Sequence, residues 1–351
     1  MKKIKLVLAI LLISSFAFGQ NREEADKLVD EGIIDHDKGE YATAIAKYDK
    51  ALTLDKDNLF ALAEKAMTLM SLKKYDEVIS NCKKAIEKHP KDKDLKNVYV
   101  SYGNALDGLK ESKKSVQIYN EGIKKFPEYY HLYYNKGVTL AGTQKYDDAL
   151  LCFEKAVSLN PKHASSHNGV ANLVYATNNK IPTLLALCSF LIAEPQGKRA
   201  EANLGLLQKI LKADVKKTGN NSITLSISAL PKKNKKAKEN DFTMTEFVLG
   251  LASALDYDDK NKEETEIAQF VRKIEIVCGS LGEGKKDGKG FYWECYAPYF
   301  IELNEKKLTQ TFAYIAFASS EKPEIGEWLD THKTEIDAFY AWNKAFVWTK
   351  K

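Results

Sequence analysis

Residues 130–163 read YHLYYNKGVTLAGTQKYDDALLCFEKAVSLNPKH, and the order of small, large and helix-stopping residues in them decides the fold. Counted from Tyr130, Gly137 is eighth, Ala149 twentieth, Phe153 twenty-fourth, Ala156 twenty-seventh and Pro161 thirty-second. Upstream the same order returns with a thirty-four-residue period in 25–58, 59–92 and 96–129. The eighth position there is Gly32, Ala66 and Gly103, and the twentieth is Ala44, Val78 and Ser115. The twenty-fourth is Tyr48, Cys82 and Tyr119, and the twenty-seventh is Ala51, Ala85 and Gly122. Pro90 and Pro127 hold the thirty-second, with Lys56 the exception.

Two antiparallel helices packed about 8–10 Å apart need small residues where they cross, which accounts for positions eight, twenty and twenty-seven. A large ring at position twenty-four fills the gap toward the next copy. Proline ends the second helix because it has no N–H to donate. One such pair cannot bury its own apolar face, so copies stack.

This pattern resembles the tetratricopeptide repeat. The resemblance covers roughly residues 25 to 217 and implies an all-α superhelical solenoid. Residues 164–197 keep the length, Ala171 and Pro195, but Pro182-Thr183, Leu187 and Phe190 depart in the second helix, so they are a divergent fifth repeat. Residues 198–217, with Leu204-Gly205 at positions seven and eight, are expected to be a capping helix over the last apolar surface. The extra Lys93-Asp94-Leu95 is expected in a turn between repeats.

Beyond the repeats the composition changes. Ile223, Leu225 and Ile227 alternate with polar residues, which predicts a short strand or extended tether. Pro231-Lys232-Lys233-Asn234-Lys235-Lys236 marks residues 218–240 as a lysine-rich linker. Residues 241–351 are expected to form a small, mainly helical domain, with helical spacing over Phe242–Leu255 and Thr265–Val277. Gly279–Gly290, with five glycines, is expected to be a flexible loop. Fifteen of the thirty-seven aromatics and all four tryptophans lie between Phe291 and Trp348. Trp328, His332, Ile336, Phe339, Tyr340 and Phe346 recur at helical spacing, and Tyr292 to Leu303 do so across a kink at Pro298. Rings of that size supply a core, or else an exposed platform for a glycan or peptide.

The N-terminus reads as a targeting segment. Lys2, Lys3 and Lys5 precede the apolar run Leu6–Phe18, which is too short to span a roughly 30 Å bilayer core. Ala17-Phe18-Gly19 then offers a cleavage site, so residues 1–19 are expected to leave as a signal peptide and the protein to act in the periplasm or beyond. No later stretch is long and apolar enough to span a membrane. The full-chain charge is +5, and about +2 once those three lysines leave, too balanced for a nucleic-acid protein.

Apparent chemical motifs fail on context. Gly279 to Lys286 nearly spells a phosphate loop, but Lys286 stands where the magnesium hydroxyl belongs and glycines follow where a helix should open. Ser71-Leu72-Lys73-Lys74 with Lys217-Thr218-Gly219 hints at a penicillin-recognising enzyme, yet the first falls in a turn and Ser-Asp-Asn is missing. His163 and His167 have metal spacing but no further ligand nearby in sequence, and exposed histidines are expected. Glu294, Glu302 and His332 are the groups a hydrolase would draw on, without an arranged constellation. No catalytic residue, metal or cofactor is therefore assigned. Of five cysteines, Cys82, Cys152 and Cys188 sit in second helices as buried thiols, and Cys278 with Cys295 could form a disulfide across the glycine segment.

The function expected is a non-enzymatic scaffold that binds a protein or peptide segment. The resemblance places ligands on the wall of first helices, at positions two, five, nine and twelve. Repeat one offers Val29, Ile33 and His36 there, and repeat two Phe60, Ala63, Met67 and Met70. Repeat three offers Asn97, Val100, Asn104 and Asp107, and repeat four His131, Tyr134, Val138 and Ala141. Repeat five adds Ser165, Asn168, Asn172 and Tyr175. Asn104, His131, Tyr134, Asn168, Asn172 and Tyr175 are the chosen binding candidates, since amides suit an extended backbone and tyrosines supply rigid area. Chaperone-binding members hold a terminal carboxylate with lysine and arginine, which these five repeats lack at those positions. The alternative is a glycan- or peptide-binding protein acting through the aromatic domain, with the repeats as spacer.

Overall fold

A computed structural model describes residues 21–212, 215–219, 222–225 and 239–348. The expected signal segment and the lysine run 232–236 lie outside the described residues. The chain divides into two compact units, one up to Ala149 and the other from Leu150.

The first unit is built of helix pairs. They are α1 (21–37) with α2 (Tyr41–Leu54), α3 (Leu59–Ser71) with α4 (Tyr75–Lys88), α5 (Leu95–Gly108) with α6 (Ser112–Lys125), and then α7 (Tyr130–Gly142). Leu95 opens α5 and is buried, so only Lys93 and Asp94 of the expected inter-repeat insertion remain in the turn. Position eight receives the ring at position twenty-four of its own repeat, a contact beyond the gap toward the next copy that the ring is expected to fill. A Cβ on Gly32 would lie 2.5 Å from the Tyr48 ring, and one on Gly103 would lie 2.3 Å from Tyr119. In repeat two the short Cys82 occupies position twenty-four, and there position eight can be Ala66.

Each turn inside a pair uses one left-handed residue at position fifteen. These are Gly39 (φ 81°), Lys73 (57°), Lys110 (65°) and Gln144 (62°). The following N–H reaches back to close the helix, as Glu111 N donates to Leu106 O at 2.8 Å. Copies are also tied side by side. Asn58 caps α3 by accepting from Ala61 N at 2.9 Å while its Nδ2 donates to Asp26 Oδ1 at 2.8 Å.

The second unit holds the end of α8 (Tyr146–Leu159), which spans the division, then α9 (Ala164–Ala176), α10 (Lys180–Ala193) and α11 (Lys198–Leu211). Asn178 (φ 59°) repeats the left-handed turn, so the divergent fifth copy keeps the motif. Its second helix lost the consensus because it has no solvent face. Every residue of α10 from Ile181 to Ile192 is buried, with α9, α11, α12 (Thr243–Ala254) and α15 (Thr309–Ala316) around it. Pro182 is tolerated in the first turn, where its missing N–H has no intrahelical partner to lose.

The expected capping helix is corrected. It ends at Leu211, and the C-terminal helices pack on α10 and α11 in place of a free end. Strands β1 (Val215–Gly219) and β2 (Ser222–Leu225) follow as an antiparallel hairpin, consistent with the alternation read at Ile223 and Leu225. The glycine segment is also corrected, because α13 (Glu266–Gly284) runs through Gly279 and Gly282. Beyond it Gly288 is packed, since a Cβ there would lie 2.3 Å from the Trp293 ring.

A π-helical turn, Tyr292–Tyr296, leads into α14 (Ala297–Glu305), where Pro298 falls in the first turn. The widened turn removes the i−4 carbonyl clash that a proline imposes on a regular helix. The last aromatic stretch is two helices, α16 (Pro323–Thr331) and α17 (Lys333–Ala345), broken at His332, and not one. Arg272 of α13 grips Glu264 (3.0 and 2.7 Å), Asp256 (2.8 Å) and the Ala252 carbonyl (2.8 Å), which fixes α12 against α13.

Candidate functional site

In the first unit, the polar wall positions mostly hold the repeats together. Asn104 is half-buried, and its Oδ1 accepts from the Tyr119 hydroxyl at 2.6 Å, steadying the ring that fills the Gly103 notch. Asn97 accepts from the Tyr129 hydroxyl, and His36 bonds Thr68 at 2.8 Å. Asp107 accepts from Ser112 at 2.9 Å, and Val29 is buried outright. The His131 ring lies tilted 3.9 Å from Tyr130 and edge-on 5.1 Å from Tyr129, and burial pulls its pKa down. Tyr134 is half-buried beside it in sequence. What this wall leaves exposed is mostly apolar, Phe60, Met67 and Val138 at positions two and nine, with Asn97 the polar exception.

In the second unit the wall is different. Asn168 is half-buried and Asn172 exposed, and neither side chain bonds a described residue, so both amides can pair with a ligand. The neighbouring first helix, α11, brings two cations to the ends of this row. Arg199 Nη2 donates to Ser165 Oγ at 3.1 Å, and Lys209 Nζ lies 5.9 Å from the Tyr175 ring centroid. Arg199 is pinned further by the Phe190 ring at 5.2 Å and Glu194 at 3.4 Å. The result is two free amides between an arginine and a lysine, beside an exposed tyrosine.

The structure therefore brings Asn168, Asn172 and Tyr175 onto one accessible row and gives Asn104 a structural task. Arg199 and Lys209 escape a reading that treats residues 198–217 as a cap. The Leu204-Gly205 register already places them at positions two and twelve, so the signal is present in the sequence.

The aromatic surplus of the C-terminal helices is largely core. Trp293 stacks on Phe242 (4.5 Å, 7°) and donates to the Asp241 carbonyl at 3.1 Å. Trp328 lies between Tyr314 (3.9 Å) and His332 (4.2 Å), and Trp342 Nε1 donates to Glu302 at 2.7 Å. Glu302 is thus engaged by Trp342, His332 by the Trp328 ring and carbonyl, and Glu294 by the Gly290 N–H, each in a separate local contact. Gly279–Gly284 has its backbone N–H groups in helix α13, which removes the phosphate cradle.

The histidine expectation is corrected: His167 is fully buried. Its Nε2–H donates to the Pro161 carbonyl at 2.8 Å, so Nδ1 accepts from the Tyr296 hydroxyl at 2.8 Å. The disulfide expectation is corrected as well. Cys278 and Cys295 are buried thiols that form no disulfide, and Cys82, Cys152 and Cys188 are likewise buried outside any disulfide. Among the described residues no group of three His, Cys, Asp or Glu could hold a metal, and no helix is long and apolar enough to cross a membrane.

The family comparison agrees with the helix-pair geometry. The tetratricopeptide repeat family profile matches residues 131–163. The STIP1 homologue of Dictyostelium discoideum is 30% identical over 169 residues, covering 40% of this chain and 30% of that protein. The Hsp70-Hsp90 organizing protein of Triticum aestivum is 28% identical over 174 residues, with the same shares covered. The chain spans 30% of the length of these relatives. Among solved structures, Pseudomonas aeruginosa pilF has 22% identity and a TM-score of 0.49, covering 55% of this chain and 85% of that one. A thermophilic TPR protein of Thermus thermophilus has 16% identity and a TM-score of 0.45, with 53% and 98% covered. Period, notch-and-ring packing and left-handed turns agree with the profile match, and this chain carries tetratricopeptide repeats.

Proposed function

We propose that the protein is an exported, non-enzymatic interaction module that holds an extended partner segment along the α9–α11 wall. Tetratricopeptide-repeat proteins bind protein or peptide partners, and this wall supplies the groups such binding needs. One observation carries the reading: the amides of Asn168 and Asn172 are unpaired among the described residues, between Arg199 and Lys209. An amide offers both a donor and an acceptor to a peptide bond, so two of them one helical turn apart suit an extended backbone. The flanking cations select a segment carrying carboxylates, and Tyr175 supplies contact area at low entropic cost. Export is supported by the charged, short apolar and small-residue pattern of residues 1–19.

The test is binding of acidic, neutral and basic extended peptides to the purified protein, with and without Asn168→Ala, Asn172→Ala and Arg199→Ala. Retention of acidic peptides that weakens with salt, and falls roughly 3–10-fold per lost hydrogen bond, is expected. Unchanged binding by a variant with full helicity rejects the wall as the site.

A further inference from the structure

A second site lies on another face of the same unit, where the C-terminal helix α17 leaves a pocket against the end of α10. It has a volume of about 210 Å³, and its lining includes Lys162, Ser189, Tyr299, Tyr340, Asn343 and Trp348. We propose that this pocket binds a single sugar ring.

The walls are aromatic and aliphatic. Tyr299 and Trp348 lie parallel at 4.8 Å, and Trp348 and Tyr340 remain partly exposed. The indole and phenol carbon faces suit the C–H face of a pyranose, which has one apolar side and a polar rim. The polar groups are mixed, and two of them have a direction fixed by bonds within the chain. The Tyr299 hydroxyl donates to Asn343 Oδ1 at 2.9 Å, which fixes the amide and leaves Nδ2 to donate into the pocket. The Ser189 hydroxyl donates to the Leu185 carbonyl at 2.9 Å, so its oxygen is left to accept. Lys162 Nζ and the Tyr340 hydroxyl bond no described residue. A set that both donates and accepts fits hydroxyl groups, which do the same, better than it fits a carboxylate or an ammonium.

Size narrows the ligand further. The volume falls below the roughly 300–1,000 Å³ of drug-sized sites, so one ring enters and a chain extends outward. Among the described lining residues the only charged one is Lys162, which admits a neutral or acidic sugar and disfavours an amino sugar with a free ammonium. The site is separate from the α9–α11 wall and does not depend on it.

The test is saturation-transfer NMR on the full chain with glucose, N-acetylglucosamine and glucuronate, and with N-acetyltryptophanamide as the aromatic side-chain probe. The expected result is transfer to the ring C–H protons of at least one sugar, weakened about 3–10-fold by Asn343→Leu and by Trp348→Ala. Circular dichroism shows whether each variant remains folded, and Tyr340→Phe gives a milder change that leaves the packing intact. Absence of transfer to all three sugars at millimolar concentration overturns the proposal. So does transfer to N-acetyltryptophanamide alone, which would make the pocket a receptor for a partner's side chain. Transfer that is unchanged in the folded variants also overturns it, by placing the sugar elsewhere.

Discussion

His167 and Tyr296 are 129 residues apart in sequence and joined by a 2.8 Å hydrogen bond in a fully buried setting. The bond ties the first helix of the fifth repeat to the π-helical turn before α14. Burial, reinforced by His163, lowers the imidazole pKa from 6.5 to about 4, against the opposing Pro161 hydrogen bond. The unfolded chain therefore takes up this proton at a higher pH than the folded one does. Stability is fully present above about pH 6.5 and is lost as pH falls toward 4, by roughly 3 kcal/mol in all. Nearby Glu154 acts in the opposite sense, because burial raises its pKa. The expected outcome is a urea midpoint that drops more steeply across this window in the wild type than in His167→Gln. Parallel profiles would remove His167 as the titrating group.

The Gly103 notch sets a second expectation. Alanine there gains about 1 kcal/mol of helix propensity, but its Cβ would stand 2.3 Å from Tyr119, and overpacking costs about 1–3 kcal/mol. Gly103→Ala should lower the urea midpoint. Gly103→Ala with Tyr119→Cys imitates the Ala66 and Cys82 of repeat two, so the double variant should lose less than the two single losses added. Strict additivity would show that the ring does not define the notch.

The repeats are legible because every copy solves one packing problem with the same residue sizes at the same positions. Notch, ring and stop can be read directly at Gly137, Phe153 and Pro161. The left-handed residue at position fifteen escapes such a reading because Gly39, Lys73, Lys110, Gln144 and Asn178 share a backbone conformation and no side-chain chemistry. The burial of His167 is hidden because its partner comes from the far end of the chain, and sequence spacing carries no sign of that. The helix through Gly279 and Gly282 is masked by glycine's low propensity, which the packing of α13 against α12, α14 and α15 overrides. Of the candidate site, the amides of α9 are readable, whereas the cations of α11 are lost to any reading that ends the array before them.

Position fifteen makes its own prediction. Lys110 holds φ at 65°, a region that costs an L-residue roughly 1–2 kcal/mol and glycine nothing. Lys110→Gly should raise the thermal midpoint or leave it level, after glycine's greater unfolded entropy offsets part of the relief. Lys110→Val, whose branched side chain tolerates this region worst, should lower it clearly. A Val variant as stable as Lys would contradict the left-handed turn.

The cysteines should be inert while the protein is folded. Burial raises the thiol of Cys82 to about 12 and that of Cys295 to about 12, and pushes Cys188 and Cys278 up as well. The thiolate is the nucleophile, so little of it forms at pH 8. Iodoacetamide is expected to label none of these four in native protein and all of them in urea, with mass spectrometry locating each adduct. A Cys278–Cys295 bridge would instead appear as two unlabelled residues in urea without reductant.

The last prediction concerns the ion pair under α12. Lys273 is buried at its ammonium end, with 4% of the side chain exposed, and it bonds Asp256, which also accepts from Arg272 at 2.8 Å. Arg272 keeps Glu264 whatever happens to Asp256, but Lys273 has no second carboxylate partner among the described residues. Removing one member of a buried pair leaves the other charge unpaired, at about 3–5 kcal/mol, whereas removing both is often close to neutral. Asp256→Asn should therefore cost several kcal/mol in urea unfolding, and Asp256→Asn with Lys273→Met should recover much of it. The Arg272 contacts make the test specific, because Arg272→Met would leave Glu264 unpaired while Asp256 keeps Lys273, and adding Lys273→Met should then strip Asp256 too and give no rescue. A loss below about 1 kcal/mol for Asp256→Asn would mean that Lys273 swings out to water, and that α12 is held by Arg272 alone.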